Sequence, residues 1–188
     1  MKIVSIGGGP AGLYFAILAK KADPSAEIRV VERNRPDDTF GFGVVFSDET
    51  LGNFADADPE SYAEITKAFA HWTDIDIHYG GEVVTSTGHG FSGLARVKLL
   101  NILQRRAMDL GVDVRFETDA KGPEDFPDAD LILAADGVNS GIRQKHADSF
   151  GPKLDWRKNK FVWLGTTRPH PAFTFHFKQH ESGLFRVH

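Results

Sequence analysis

Four residue patterns in this chain have types and spacings suited to chemistry. The first is Gly7-Gly8-Gly9-Pro10-Ala11-Gly12, in which Gly7, Gly9 and Gly12 spell G-x-G-x-x-G. Between a strand and a helix, Gly7 permits the tight turn and Gly9 lets a pyrophosphate approach bare backbone. Gly12 lets the helix lie close on the sheet. The helix start then offers unpaired N–H groups and a partial positive charge to phosphate. The second is Glu32, twenty residues past Gly12. A carboxylate there accepts hydrogen bonds from both hydroxyls of an adenosine ribose and repels a 2′-phosphate. The third is Asp136-Gly137, delivered by the apolar run Asp130–Ala135 and followed by Ser140 and Arg143. The fourth is a scatter of polar rings, His78, Tyr79, His89, His176 and His188, each a candidate for the substrate side and each equally at home as a surface or satisfied core residue. No catalytic side chain stands out among them.

Other chemistries are excluded or unsupported. The chain has no cysteine, so it has no thiolate nucleophile, disulfide framework or Cys-based zinc site. Its eight histidines show no metal-type spacing, and His170 to His176 is too long and too strand-like for one. A net charge of −4 argues against a broad nucleic-acid face. No apolar run approaches the ~20 residues that span a bilayer, and the N-terminal run is broken by glycines, unlike a signal peptide. These features fit a cytoplasmic protein.

The elements that must position these groups follow from periodicity. Ile3–Ile6 reads as a strand, Leu13–Ala22 as a helix with Ala16 at the helix–strand contact, and Ile28–Val31 as a second strand ending at Glu32. This order, strand, glycine turn, helix, strand and acid, favours dinucleotide binding over an ordinary βαβ unit, but does not separate FAD from NAD. Phe40–Ser47 reads as a glycine-hinged loop that either packs its rings on the core or lines a cofactor. Short helices are predicted at Thr50–Phe54 and Pro59–Ala70. The period then changes to two, so Asp74–Tyr79, Gly80-Gly81 and Glu82–Ser86 read as a β-hairpin. Leu94–Leu110 carries an apolar stripe, Val97, Leu100, Leu103, Ala107 and Leu110, at helical spacing. Val112–Phe116 and Asp130–Ala135 are strands, the second of buried parallel type, and Asn139–His146 is a short helix. Strand-like runs follow at Lys160–Gly165, Phe173–Phe177 and from Gly183 onward. The last run is reached at His188, and an unfinished apolar sheet predicts a piece of a longer protein.

Taken together, these motifs resemble those of the class A FAD-dependent aromatic monooxygenases. Asp136, Gly137, Ser140 and Arg143 match the family's D-G-x-x-S-x-x-R pattern one by one. Arg96 to Leu99 is similar to the R-x-x-L start of its long helix, although a solvated helix-start arginine reads the same way. The wording of Phe40–Ser47 and Lys158–Thr166 is similar to the branch that hydroxylates salicylyl-CoA and 2-aminobenzoyl-CoA. One departure is the loop Gly41-Phe42-Gly43-Val44, where many members carry arginines.

The resemblance implies an α/β fold. A Rossmann-like FAD-binding domain with a parallel sheet spans 1–71 and 95–150, and part of an antiparallel β substrate domain spans 72–94 and 151–188. It implies FAD as cofactor and NAD(P)H as co-substrate, with a flavin C4a-hydroperoxide hydroxylating an aromatic substrate, an acyl-CoA by branch. A reductase or dehydrogenase of the same fold, or a silent flavin-binding piece, stays open. The expected cofactor-binding residues are Gly7, Gly9, Pro10, Ala11, Gly12, Glu32, Arg33, Gly43, Arg96, Asp136 and Gly137. The basic residues Arg143, Lys145, Lys153, Arg157, Lys158 and Lys160 either meet an anionic CoA tail or form a solvated face. Neither nucleic acid nor membrane is an expected partner.

Overall fold

The computed structural model describes all 188 residues. In chain order the elements are β1 (Lys2–Ile6), α1 (Pro10–Ala22), β2 (Glu27–Val31), β3 (Gly43–Ser47), α2 (Asp48–Ala57), α3 (Pro59–Thr66), β4 (Ala70–Trp72), β5 (Ile75–Tyr79), β6 (Glu82–Ser86) and β7 (Phe91–Ala95). Then come α4 (Arg96–Asp109), β8 (Asp113–Arg115), β9 (Leu131–Ala134), α5 (Gly141–Lys145), α6 (Ala147–Phe150), β10 (Phe173–His180) and β11 (Gly183–Val187). They form two compact units, Met1–Gly41 with Arg96–Val162, and Phe42–Ala95 with Trp163–His188.

The first unit is α/β. Its sheet has the order β8-β2-β1-β9, and every neighbouring pair is parallel. Alternation along β1 divides its side chains between the two faces. Ser5, fully buried, lies under α1, where a Cβ on Gly12 would come within 2.7 Å of its Oγ. Val4 and Ile6 point to the other face and cluster with Val31 and Ile142, with Phe126 and Ile132 packed against them. On the helical side α1 and α4 pack together, burying Leu13, Ala16, Ile17, Leu103 and Ala107. Burying each of the larger of these side chains contributes about 2 kcal/mol. Of the apolar stripe read in the sequence, Leu100, Leu103 and Ala107 are buried on α4, together with Leu99 and Ile102, whereas Val97 is half-buried and Leu110 lies past the helix end.

The second unit holds two sheets, β11-β10-β5-β6 and β3-β7-β4. The hairpin β5–β6 forms as expected, with Tyr79 opposite Glu82 around Gly80-Gly81, both at positive φ. An antiparallel layer was expected, and β5–β6 and β10–β11 are antiparallel; β10 joins β5 in parallel, with His176 opposite His78. Ser47 caps α2 by accepting from the Thr50 amide at 3.3 Å, and Asp48 and Glu49 complement the dipole of its first turn. Asp58 ends α2 and begins α3. Its buried carboxylate accepts from the Ser61 amide at 3.2 Å and from Ser61 Oγ at 2.5 Å.

Several local expectations are corrected. Gly43–Ser47 is a strand paired with β7 rather than a loop, because the β-rich run Val44-Val45-Phe46 finds a partner far along the chain. Leu94 belongs to β7, and the helix begins only at Arg96. Helix α3 stops at Thr66, since residues 70–72 pair with β7. The strand expected at Lys160–Gly165 is absent. Its apolar residues are right for a strand, but no neighbouring backbone pairs with it, and an unpaired strand has no ladder to hold it.

Candidate functional site

Three elements of the first unit end at the same edge of its sheet. Strand β1 leads into the glycine turn, β2 into Glu32, and β9 into Asp136. Backbone bonds tie these ends together: the Gly7 amide donates to Val31 O at 2.8 Å, and the Ala135 amide to Ile6 O at 2.8 Å.

The turn itself is shaped by absent side chains. Gly7 has φ +111°, a conformation L residues rarely adopt, and a Cβ on it would overlap the Ala135 carbonyl. A Cβ on Gly12 would overlap the Gly7 carbonyl, so α1 lies against the turn only because Gly12 is bare. Gly9 differs from both: a Cβ there would meet nothing within 4 Å. Its exposed side is open space, available to a ligand. Helix α1 begins with Pro10 at its first position, with no side-chain cap at Gly9 and no acid in its first turn. Its first-turn amides therefore keep the partial positive charge that draws phosphate.

Glu32 closes the rim. Its Oε2 accepts from the Gly8 amide at 2.8 Å, while Oε1 accepts from the Asn34 amide at 2.8 Å and Asn34 Nδ2 at 2.7 Å. A Cβ on Gly8 would stand 2.7 Å from Glu32 Cβ, so the middle glycine is required by this contact. Sequence reasoning assigned no role to Gly8 or Asn34. The signal was available in a third consecutive glycine and an Asn two residues past the acid.

The Asp136-Gly137 corner is organised by α5. Asp136 Oδ2 accepts from the Ile142 amide at 3.2 Å, whereas its Oδ1 is buried with no hydrogen-bond partner. Gly137 has φ +87°, as the turn out of β9 requires. Ser140 Oγ caps α5 by accepting from the Arg143 amide at 2.9 Å, and Arg143 Nη2 donates to Val138 O at 2.6 Å. The Nε atoms of Arg143 and Arg96 are buried and unpartnered. Open space at Gly9, an uncapped helix and orphaned polar atoms on Arg96, Asp136 and Arg143 are the features a phosphate- and ribose-bearing cofactor would satisfy. The residues present fit a dinucleotide.

Of the eleven residues expected to bind cofactor, ten lie in the first unit: Gly7, Gly9, Pro10, Ala11, Gly12, Glu32, Arg33, Arg96, Asp136 and Gly137. Gly43 belongs to the second unit, inside β3, opposite Ala95. Arg33 is exposed. The candidate substrate-side rings lie in the second unit. His78 and His176 face each other across the β5–β10 ladder, ring centroids 4.2 Å apart. His89 Nε2 lies 2.7 Å from Ser86 Oγ, and the His188 ring lies 5.7 Å from that of Phe175. No group of three His, Asp or Glu side chains could hold a metal ion. No helix is long and apolar enough to cross a membrane.

No protein-family model matches the chain. Curated relatives do. The chain is 44% identical to salicyloyl-CoA 5-hydroxylase of a Streptomyces species over all 188 residues, which cover 36% of that protein. It is 34% identical over 168 residues to the 3-hydroxy-4-methyl-anthranilyl-[aryl-carrier protein] 5-monooxygenase of Streptosporangium sibiricum, covering 89% of this chain and 47% of that one. The chain thus spans between a third and a half of the length of these relatives. Among solved structures, 2-methyl-3-hydroxypyridine-5-carboxylic acid oxygenase superposes with a TM-score of 0.68 at 25% identity, covering 82% of this chain and 43% of that one.

Proposed function

Because the chain belongs to the class A flavin aromatic monooxygenases, we propose that the protein binds FAD and, with NAD(P)H and O₂, hydroxylates an aromatic ring presented as an acyl-CoA thioester. The observation that carries this reading is the glycine turn, with Gly9 open to a ligand and Glu32 fastened at its rim. The likeness to a salicyloyl-CoA hydroxylase over the whole chain supports the substrate class. In this reading the first unit carries the cofactor, the second contributes surface to the substrate, and the protein works in the cytoplasm.

The residues of the first unit that would hold FAD are Gly7, Gly9, Pro10, Ala11, Gly12, Glu32, Arg33, Arg96, Asp136 and Gly137. When bound, FAD supplies the hydride acceptance and oxygen activation by which one oxygen atom enters the ring. The protein's own part is placement. The first-turn amides of α1 meet the pyrophosphate without a competing acid. Glu32 offers its carboxylate to ribose hydroxyls and disfavours a 2′-phosphate there. Arg96 supplies positive charge to the anionic part of the cofactor. No side-chain nucleophile is needed, which agrees with the absence of cysteine.

The test is a visible spectrum of the purified protein, followed by NAD(P)H oxidation with salicyloyl-CoA and other aryl-CoA thioesters. Flavin bands and thioester-stimulated oxidation with ring hydroxylation support the reading. A protein that cannot be reconstituted with FAD overturns it. Flavin-bound protein that oxidises NAD(P)H without hydroxylating any thioester leaves a reductase of the same fold.

A further inference from the structure

The segment after α6 concentrates charge in a chain that is otherwise acidic. Between Lys153 and Val162 lie Lys153, Arg157, Lys158 and Lys160 against a single carboxylate, Asp155, although the chain's net charge is −4. That carboxylate is used locally, since Arg157 Nη2 pairs with Asp155 Oδ2 at 2.7 Å. Lys153, Lys158 and Lys160 make no ion pair or hydrogen bond. The neighbouring basic residues are engaged elsewhere: Arg143 donates to the Val138 carbonyl, and Lys145 pairs with Glu124. The structure therefore narrows the basic run to the three free lysines.

Trp156 sits among them with 83% of its surface exposed. No helix or strand covers the segment, which leaves α6 through Gly151 in the left-handed conformation. A solvated basic face has no need of an exposed indole. An aromatic ring interleaved with cations is the arrangement that stacks a purine and neutralises its phosphates. A long nucleic acid is disfavoured by the acidic remainder of the chain, whereas a short, compact polyanion needs no more cations than this run carries.

Resting on the hydroxylase reading above, we propose that Trp156 with Lys153, Lys158 and Lys160 holds the 3′-phosphoadenosine diphosphate end of the CoA thioester. Trp156 stacks on the adenine, and the lysines face the 3′-phosphate and the diphosphate. The segment thereby selects CoA esters over free aromatic acids.

The experiment titrates the protein with coenzyme A, 3′-dephospho-CoA and pantetheine, by calorimetry and tryptophan fluorescence. Coenzyme A is expected to bind and quench, dephospho-CoA to bind about tenfold more weakly, and pantetheine to leave both signals unchanged. The triple variant Lys153→Gln, Lys158→Gln, Lys160→Gln is expected to weaken CoA binding by at least about tenfold and to flatten its salt dependence, with FAD content and circular dichroism unchanged. Trp156→Ala is expected to remove the quenching. Equal binding of CoA and pantetheine, or parental CoA affinity in the triple variant, overturns the proposal. So does lysine-dependent binding of a phosphopantetheinylated carrier protein with none of free CoA. Flavin retention is scored separately. Protein that keeps FAD but ignores CoA sinks this inference alone, and protein that binds CoA without FAD sinks the hydroxylase reading alone.

Discussion

The Glu32 carboxylate accepts a hydrogen bond from the Gly8 amide at 2.8 Å, joining the end of β2 to the middle of the glycine turn. Its second oxygen holds Asn34, so one side chain fixes both the turn and the loop beyond it. Glu32→Ala is expected to free both and to lower FAD affinity by at least about tenfold. Gly8→Ala is expected to do the same by forcing its Cβ against Glu32. Fluorescence titration with FAD checks both. Parental affinity in either variant contradicts the bridging role.

Gly7 and Gly9 separate folding from binding. Gly7→Ala meets both a positive φ and the Ala135 carbonyl, and is expected to cost about 3 kcal/mol or more. Gly9→Ala meets no protein atom, and its φ of −72° suits any L residue. It is expected to leave the urea midpoint near that of the parent while FAD binding is lost. A Gly9→Ala protein that unfolds early, or binds FAD normally, contradicts the assignment of the open side to the ligand.

Asp58 serves two helices at once in the second unit. Asp58→Ala removes a buried cap and leaves Ser61 without its acceptor, for an expected loss of about 2 kcal/mol. Asp58→Asn retains one acceptor oxygen and is expected to lose less. Thermal denaturation of the pair orders the two effects.

Asp113 makes stability depend on acidity. The Arg115 guanidinium, followed by that of Arg29, holds its carboxyl below the usual carboxylate range. A depressed folded-state value means the contribution is present above the unfolded value and is lost as pH falls through the folded one. Asp113 is partly exposed, so screening limits the effect to less than about 1 kcal/mol. Asp113→Asn is expected to be slightly less stable than the parent at pH 7, with the difference closing at acid pH and in high salt. Denaturant titrations at both pH values measure it, and a gap that widens in acid contradicts the ion pair.

The first unit was legible because its signals are local. Gly7, Gly9, Gly12 and Glu32 lie within one βαβ stretch, and the stripe from Val97 to Leu110 needs only helical spacing to be read. The second unit was read less well because its pairing is not local. Val44 finds Leu94, and Ile75 finds Phe173, with no sequence mark of the partner. Lys160–Gly165 shows the converse, a strand-like composition that pairs with no strand. At the candidate site, the chain spacing exposed the motif glycines, but the Glu32–Gly8 bond and the buried Nε atoms of Arg96 and Arg143 depend on how the turn closes in three dimensions.

The parallel ladder between β5 and β10 also has a consequence for synthesis. Phe173 leaves the ribosome ninety-eight residues after Ile75, its partner in register. Through that interval the β5–β6 hairpin carries an open edge beside Ile75 and Ile77, the kind of edge that recruits other chains. The first three elements, by contrast, need only about thirty residues to complete a βαβ core. A nascent chain therefore acquires its glycine turn early and its β-rich unit late. Aggregation during expression is expected to track the arrival of β10, so truncation before Phe173 should shift the product toward inclusion bodies.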